Sequence, residues 1–136
     1  MSNIEQTLSI IKPDAMERSL DGEIKSMFEK NGFKIAKEKK IQLAKNEAEQ
    51  FYKVHETKPF YNDLCEYLSS GPIVVMILEK ENAIRENRSL MGATNPKEAV
   101  DGTIRKKYGI SIDKNSVHGS DSSENAEKEI NFFFKN

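Results

Sequence analysis

Strands alternating with helices, a β-α-β unit that occurs twice, and one short segment apolar on both faces together predict an α/β (α+β) chain. The arrangement that satisfies all three is a ferredoxin-like βαββαβ sandwich. Its sheet is expected to be four-stranded and antiparallel, with helices packed on one face and a long loop before the last strand. Residues 1–136 show no internal repeat, low-complexity linker or break in composition, so a single domain is expected.

The elements follow in order. Thr7 to Lys12 reads as the first strand, stopped by Pro13, which has no N–H to continue a ladder. Leu20, Ile24, Met27 and Phe28 recur at helical spacing, and Gly32 stands where a C-terminal cap belongs. Phe33, Ile35, Ile41 and Leu43 keep a two-residue period broken by charges, the pattern of a strand with one wet face. Asn46 with Glu49 gives a capping signal for a helix bearing Ala48, Phe51, Tyr52 and His55 on one side. Beyond Pro59 a second short helix, Phe60 to Leu68, ends at Ser70-Gly71-Pro72.

Ile73 to Leu78 is β-branched and apolar throughout, as a covered central strand requires. Ala83, Ile84, Arg88 and Met91 fit a further helix closed by Gly92. From Ala93 to Asn115 the periodicity fades, and irregular stretches of that length in a compact domain are usually functional. Ser123 is expected to cap a last helix carrying Ala126, Ile130, Phe133 and Phe134.

Composition narrows the function classes. Apolar residues make up 37% and charged residues 32%, which suits a folded domain with a charged surface. The 21 basic and 22 acidic side chains leave a net charge of −1, so no general affinity for nucleic acid or acidic membranes is expected. The lone Cys65 falls in the apolar stripe Tyr61, Leu64, Cys65, Leu68 and reads as a buried core thiol in a reducing compartment. No leader peptide is visible at the N-terminus, and the longest apolar run is too short to span a bilayer. A soluble, cytoplasmic protein is the expectation.

Two histidines carry the candidate chemistry. His55, beyond Phe51 and Tyr52, reads as structural. His118, before Gly119-Ser120-Asp121, fits either an exposed nucleophile or a hydrogen-bonded turn residue. Lys12, Arg88 and Arg105 are each either solvated charges or, if they converge, a clamp for phosphate oxygens. No glycine is followed by lysine, and neither G-x-G-x-x-G nor Asp-Phe-Gly occurs, so the common phosphate loops are absent. With two histidines and one cysteine, a dedicated zinc site is not expected. A metal, if needed, is expected to be Mg²⁺ carried by nucleotide phosphates.

Several segments, in order along nearly the whole chain, resemble nucleoside diphosphate kinases. They are Thr7-Leu8-Ser9-Ile10-Ile11-Lys12-Pro13-Asp14, Phe51-Tyr52 with His55, Pro59-Phe60-Tyr61, and Ser70-Gly71-Pro72-Ile73-Val74. Met91-Gly92-Ala93-Thr94-Asn95-Pro96, Asp101-Gly102-Thr103-Ile104-Arg105 and Asn115-Ser116-Val117-His118-Gly119-Ser120-Asp121-Ser122 complete the set. The resemblance implies transfer of a γ-phosphate, mainly from ATP, to a nucleoside diphosphate through a phosphohistidine on His118. An imidazole suits the task, since its unperturbed pKa near ~6.5 leaves a neutral nucleophile at physiological pH. A covalent relay also lets one pocket serve both nucleotides in turn.

By the same resemblance, Lys12, Arg88, Thr94 and Arg105 hold phosphates, and Asn115 with Lys12 contacts the sugar hydroxyls. Phe60 stacks on the base, which suits a broad substrate range because every base has a π-face. Tyr52 stands near the histidine, Glu129 orients its ring, and Ser120 supports that contact. Nucleoside tri- and diphosphates are the implied partners, with assembly into a homo-oligomer, tetramer or hexamer. Lys107 and Asp113-Lys114 depart from the common pattern without touching the residues named above. A non-catalytic nucleotide-binding module on the same scaffold is the competing expectation, and an RNA-binding sheet fits less well because Ile73 to Leu78 lacks stacking aromatics.

Overall fold

The computed structural model describes residues 4–112 and 114–134. Four strands form one antiparallel sheet in the order β2-β3-β1-β4, with β1 at Ile4–Ile11, β2 at Lys34–Ile41, β3 at Ile73–Glu81 and β4 at Val117–Gly119. The β1–β3 ladder runs from Ile4 opposite Glu81 to Ile11 opposite Val74. On its other side β1 pairs Ile10 with His118. This is the expected βαββαβ order, with two helices inserted between β2 and β3.

The first strand starts and stops earlier than the sequence suggests, leaving Lys12 just past its end. Pro13 then does more than stop the strand: it opens the one-turn helix α1, Pro13–Glu17, at the position where its missing N–H costs nothing. Helix α2, Asp21–Lys30, ends as Gly32 predicts. Gly32 has φ +87°, its N–H reaches Glu29 O at 3.1 Å and the Phe33 N–H reaches Phe28 O at 3.0 Å. That is a Schellman stop, and the Phe28 and Phe33 rings close it edge-to-face at 5.7 Å.

Helix α3, Lys45–Phe51, is capped two residues earlier than expected. Glu47, not Glu49, reaches back to a backbone N–H, that of Ala44, at 2.8 Å. His55 accordingly lies outside α3, in a 3-10 turn over Lys53–His55. Helix α4, Tyr61–Leu68, leaves Phe60 at its N-cap, and α5 spans Ala83–Met91. The segment 93–115 is less irregular than its sequence implies. It holds a 3-10 turn at Pro96–Glu98 and a five-residue helix α6, Ile104–Tyr108, whose N-cap Thr103 hydroxyl accepts from Lys106 N at 3.3 Å. The last helix, α7, is Ser123–Phe134, and its capping hydroxyl is that of Ser122 rather than Ser123, accepting from Asn125 N at 3.1 Å.

Helices cover both faces of the sheet, not one. Ile11, Val74, Met76 and Leu78 join Ile24, Phe28, Ala83, Met91 and Ile104 in one buried cluster. Leu8, Ile10, Ile73 and Val75 join Ala48, Tyr52, Cys65, Leu68 and Phe133 in the other. A strand apolar on both faces must be covered twice, and burying one such aliphatic or aromatic side chain contributes about 1.5–3 kcal/mol. Cys65 is fully buried as a free thiol. Strand β2 is a charged, largely exposed edge with a bulge between Ile35 and Lys37, while Phe33 and Leu43 are buried just outside its ends. Among the described residues no helix is long and apolar enough to cross a membrane.

Candidate active site

Strand β4 is three residues long and alternates faces. Val117 and Gly119 sit opposite Ile11 and Ser9, on the side of α5, so His118 points to the opposite side, that of α3 and α7. A side chain at 119 has no room there, since a Cβ would fall 2.4 Å from Asn87 Nδ2 and 2.8 Å from Met91 Cε. Glycine lets β4 lie flush on α5, and that seats the histidine.

Helix α7 brings Glu129 to the ring. Its Oε1 lies 3.0 Å from His118 Nε2 and accepts a second hydrogen bond from Ser120 Oγ at 2.9 Å. Ser120 is fully buried and joined to Leu8 through both its backbone N–H and its Oγ, so the carboxylate is held from a rigid point. The other face of His118 meets Phe51 edge-to-face at 5.4 Å. Tyr52 packs behind Phe51 at 5.0 Å. Burial pushes its phenol well above the ordinary range, and Cys65 and Glu129 add to the rise, so the hydroxyl stays protonated. A file of rings thus runs from His118 through Phe51, Tyr52 and His55 to the half-exposed Phe60, with the last steps at 6.2 and 6.0 Å.

A second group is stitched by hydrogen bonds. Lys12 is 5% exposed; its Nζ donates to Asn115 Oδ1 at 3.0 Å, and its backbone N–H donates to Ser116 O at 2.9 Å. Asn115 Nδ2 donates to the carbonyl of the exposed Thr94 at 3.1 Å. The end of β1, the loop after α5 and the segment before β4 are therefore fixed to one another.

The two arginines form a third group. Arg105, on α6, donates to Gly92 O at 3.1 Å and to Val117 O at 2.9 Å, while its Nε is buried with no hydrogen-bond partner among the described residues. Burial, and then the nearby Arg88, push its guanidinium down to about 10, so it remains charged at neutral pH. Arg88, exposed on α5, lines a cleft of about 1080 Å³ with Gly92, Ala93, Asp121 and Ser122. Asp121 is held below the ordinary carboxylate range chiefly by the Asn125 amide, with Arg88 contributing. Gly92, with φ +86°, occupies a position where a Cβ would sit 2.5 Å from Thr103 Oγ1, and it supplies the carbonyl that aims Arg105.

The ten residues singled out in the sequence fall into these three groups plus the ring of Phe60. Phe51 was missed as a neighbour of the histidine because an aromatic on an amphipathic helix reads as core. Asp14, Tyr67 and Ser116, which lie behind Lys12, were also missed, and their contacts span 53 and 102 residues of sequence.

A carboxylate-anchored imidazole together with the partly unsatisfied Arg105 and the exposed Arg88 fits an enzyme that handles phosphate groups. The family model for nucleoside diphosphate kinase matches residues 5–136. A nucleoside diphosphate kinase of Nitratiruptor is 61% identical over 131 residues, 96% of each chain, and one of Campylobacter curvus is 60% identical over the same span. The crystal structure of the Aquifex aeolicus nucleoside diphosphate kinase superposes with a TM-score of 0.96 at 41% identity, covering 98% of this chain and 96% of that one. The Encephalitozoon cuniculi nucleoside diphosphate kinase gives 0.93 at 39% identity, covering 97% and 90%. The chain belongs to the nucleoside diphosphate kinase family and is, with it, a phosphotransferase.

Proposed function

We propose that the enzyme moves the terminal phosphate of a nucleoside triphosphate, mainly ATP, to a nucleoside diphosphate by way of a phosphohistidine on His118. The contact between His118 Nε2 and Glu129 Oε1 carries this reading. A carboxylate at Nε2 favours the tautomer with the proton on that nitrogen, which leaves the Nδ1 lone pair as nucleophile. Nδ1 forms a bond to the γ-phosphorus while the bond from that phosphorus to the bridging oxygen breaks, and the diphosphate leaves with the electron pair. The positive charge that spreads over the ring is balanced by Glu129, which Ser120 holds in place. A terminal oxygen of an acceptor diphosphate then reverses the step; it is already ionised and needs no general base.

In this reading Lys12, Arg88, Thr94 and Arg105 hold the phosphates, and the guanidinium of Arg105, depressed by burial and then by Arg88, gains most from an incoming anion. Lys12 and Asn115 contact the sugar hydroxyls, and Phe60 offers its exposed ring to the base. Tyr52 closes the apolar wall behind His118. Mg²⁺ enters as part of the substrate, on the nucleotide phosphates, whose oxygens together with water are the ligands this hard cation prefers. Assembly into a homo-oligomer and a cytoplasmic setting belong to the same proposal. Exposed Val100, Ile110 and Ile112 favour the first, and the free buried Cys65 favours the second. A module that only bound nucleotides would have no use for a carboxylate anchored on the imidazole.

Initial-rate kinetics test the relay. With one donor and one acceptor varied together, double-reciprocal plots are expected to be parallel, as a covalent intermediate requires. Lines that intersect mean direct transfer in a ternary complex and overturn the phosphohistidine step.

A further inference from the structure

Behind Lys12 lies a buried cluster that the transfer step does not use. Asp14 and Ser116 are 4% and 0% exposed. One oxygen of the Asp14 carboxylate accepts the Tyr67 hydroxyl in a short hydrogen bond. The other accepts from Ser116 Oγ at 3.4 Å and faces Arg18 Nη2 at 3.5 Å. Tyr67 Oη in turn accepts the Asp14 N–H at 2.8 Å, and Arg18 donates to Tyr108 O at 2.6 Å. Burial, and then the bond to Asp14, push the Tyr67 phenol well above its ordinary range, so it stays a donor.

Two features tie this cluster to the site. Ser116 has φ +77°, and the Val117 N–H reaches Asn115 O at 3.0 Å, which makes a classic γ-turn centred on a non-glycine residue. Such a turn persists only where its surroundings hold it, and here the Ser116 hydroxyl is held by Asp14. Its geometry presents Asn115 Oδ1 to Lys12 Nζ and Ser116 O to Lys12 N. Tyr67 also lies beneath the lysine directly, with Nζ 5.6 Å from its ring centroid.

We propose that Asp14, Tyr67 and Ser116 are positioning residues that set the Lys12–Asn115 pair and so govern how strongly the enzyme reads the sugar hydroxyls of its nucleotide. The inference rests on the sugar contact assigned to Lys12 and Asn115 above. Among the described residues these three make no hydrogen bond or ion pair with His118, Arg88 or Arg105; the arginine they contact is Arg18. They act through the geometry of one lysine and one amide.

The test compares kcat/KM for a donor that bears its sugar hydroxyls with that for its 2′,3′-dideoxy counterpart, in the parent and in Tyr67→Phe and Asp14→Asn. The parent is expected to prefer the hydroxylated donor. In both variants the hydroxylated donor should lose about fivefold more than the dideoxy donor, the net worth of roughly one hydrogen bond, beyond whatever both lose through the phosphate contact of Lys12. Tyr67→Phe keeps the ring in place and decides the matter if Asp14→Asn does not fold. Equal losses on both donors, or no change on either, overturn the brace. A parent that transfers phosphate but ignores the sugar hydroxyls overturns the brace and the sugar contact together. A parent that transfers no phosphate at all refutes the phosphotransfer reading instead.

Discussion

His118→Asn is expected to reduce turnover by about 10⁴-fold or more while leaving the fold intact, because it removes the atom proposed to carry the phosphate. Other elements of the site would survive. Lys12, Arg88 and Arg105 would still bind nucleotide, so the loss should fall on kcat far more than on KM. The structural cost should be small. The His118 side chain is 25% exposed, its partner Glu129 keeps the hydrogen bond from Ser120, and β4 keeps its ladder to β1. Steady-state rates beside a thermal melt check this. A variant that melts within a few degrees of the parent and retains more than about one hundredth of its kcat would contradict the role given to the histidine.

The arginines should separate in kind. Arg105→Ala is expected to lower kcat by about 10²–10³-fold, the usual cost of one preorganised donor to developing charge. It should also lower stability, because Gly92 O and Val117 O lose their partner and an unpaired buried polar group costs about 1–3 kcal/mol. Arg88 is exposed and its replacement by Ala leaves no carbonyl orphaned, so a comparable kinetic defect should come with an almost unchanged melting temperature. Arg105→Lys should behave like the alanine variant, since a point charge cannot span both carbonyls and still face an anion. Rates near the parent's in both alanine variants would remove the phosphate clamp from the mechanism.

Much of this was legible in the residues, for identifiable reasons. The aliphatic run Ile73 to Leu78 announces a covered strand, and its two apolar faces require helices on both sides of the sheet rather than the one side that its element order suggests. Gly32 marked its helix end correctly because a left-handed residue after a helix has few substitutes. The signal at Asn46 misled because Asn46-x-x-Glu49 and Ala44-x-x-Glu47 are both available. Only the second puts its glutamate beside an open N–H, and alanine at the cap hides it. Helix α6 escaped because five residues show no period.

At the site, the His118, Lys12, Arg105 and Asn115 positions could be read because motif residues flank them. Their grouping could not, since it depends on β4 pairing with β1 and on α7 folding back over the sheet. The Asp14–Tyr67 contact, 53 residues apart, has no local signature at all.

The central claim, that phosphate resides on His118 between donor and acceptor, is tested most directly by pulse and chase. Brief exposure to γ-labelled ATP should place up to one acid-labile phosphate per chain on His118. Adding unlabelled diphosphates of several bases should discharge it into the corresponding triphosphates. No label on the parent, label that acceptors fail to remove, or equal labelling of His118→Asn would contradict the account.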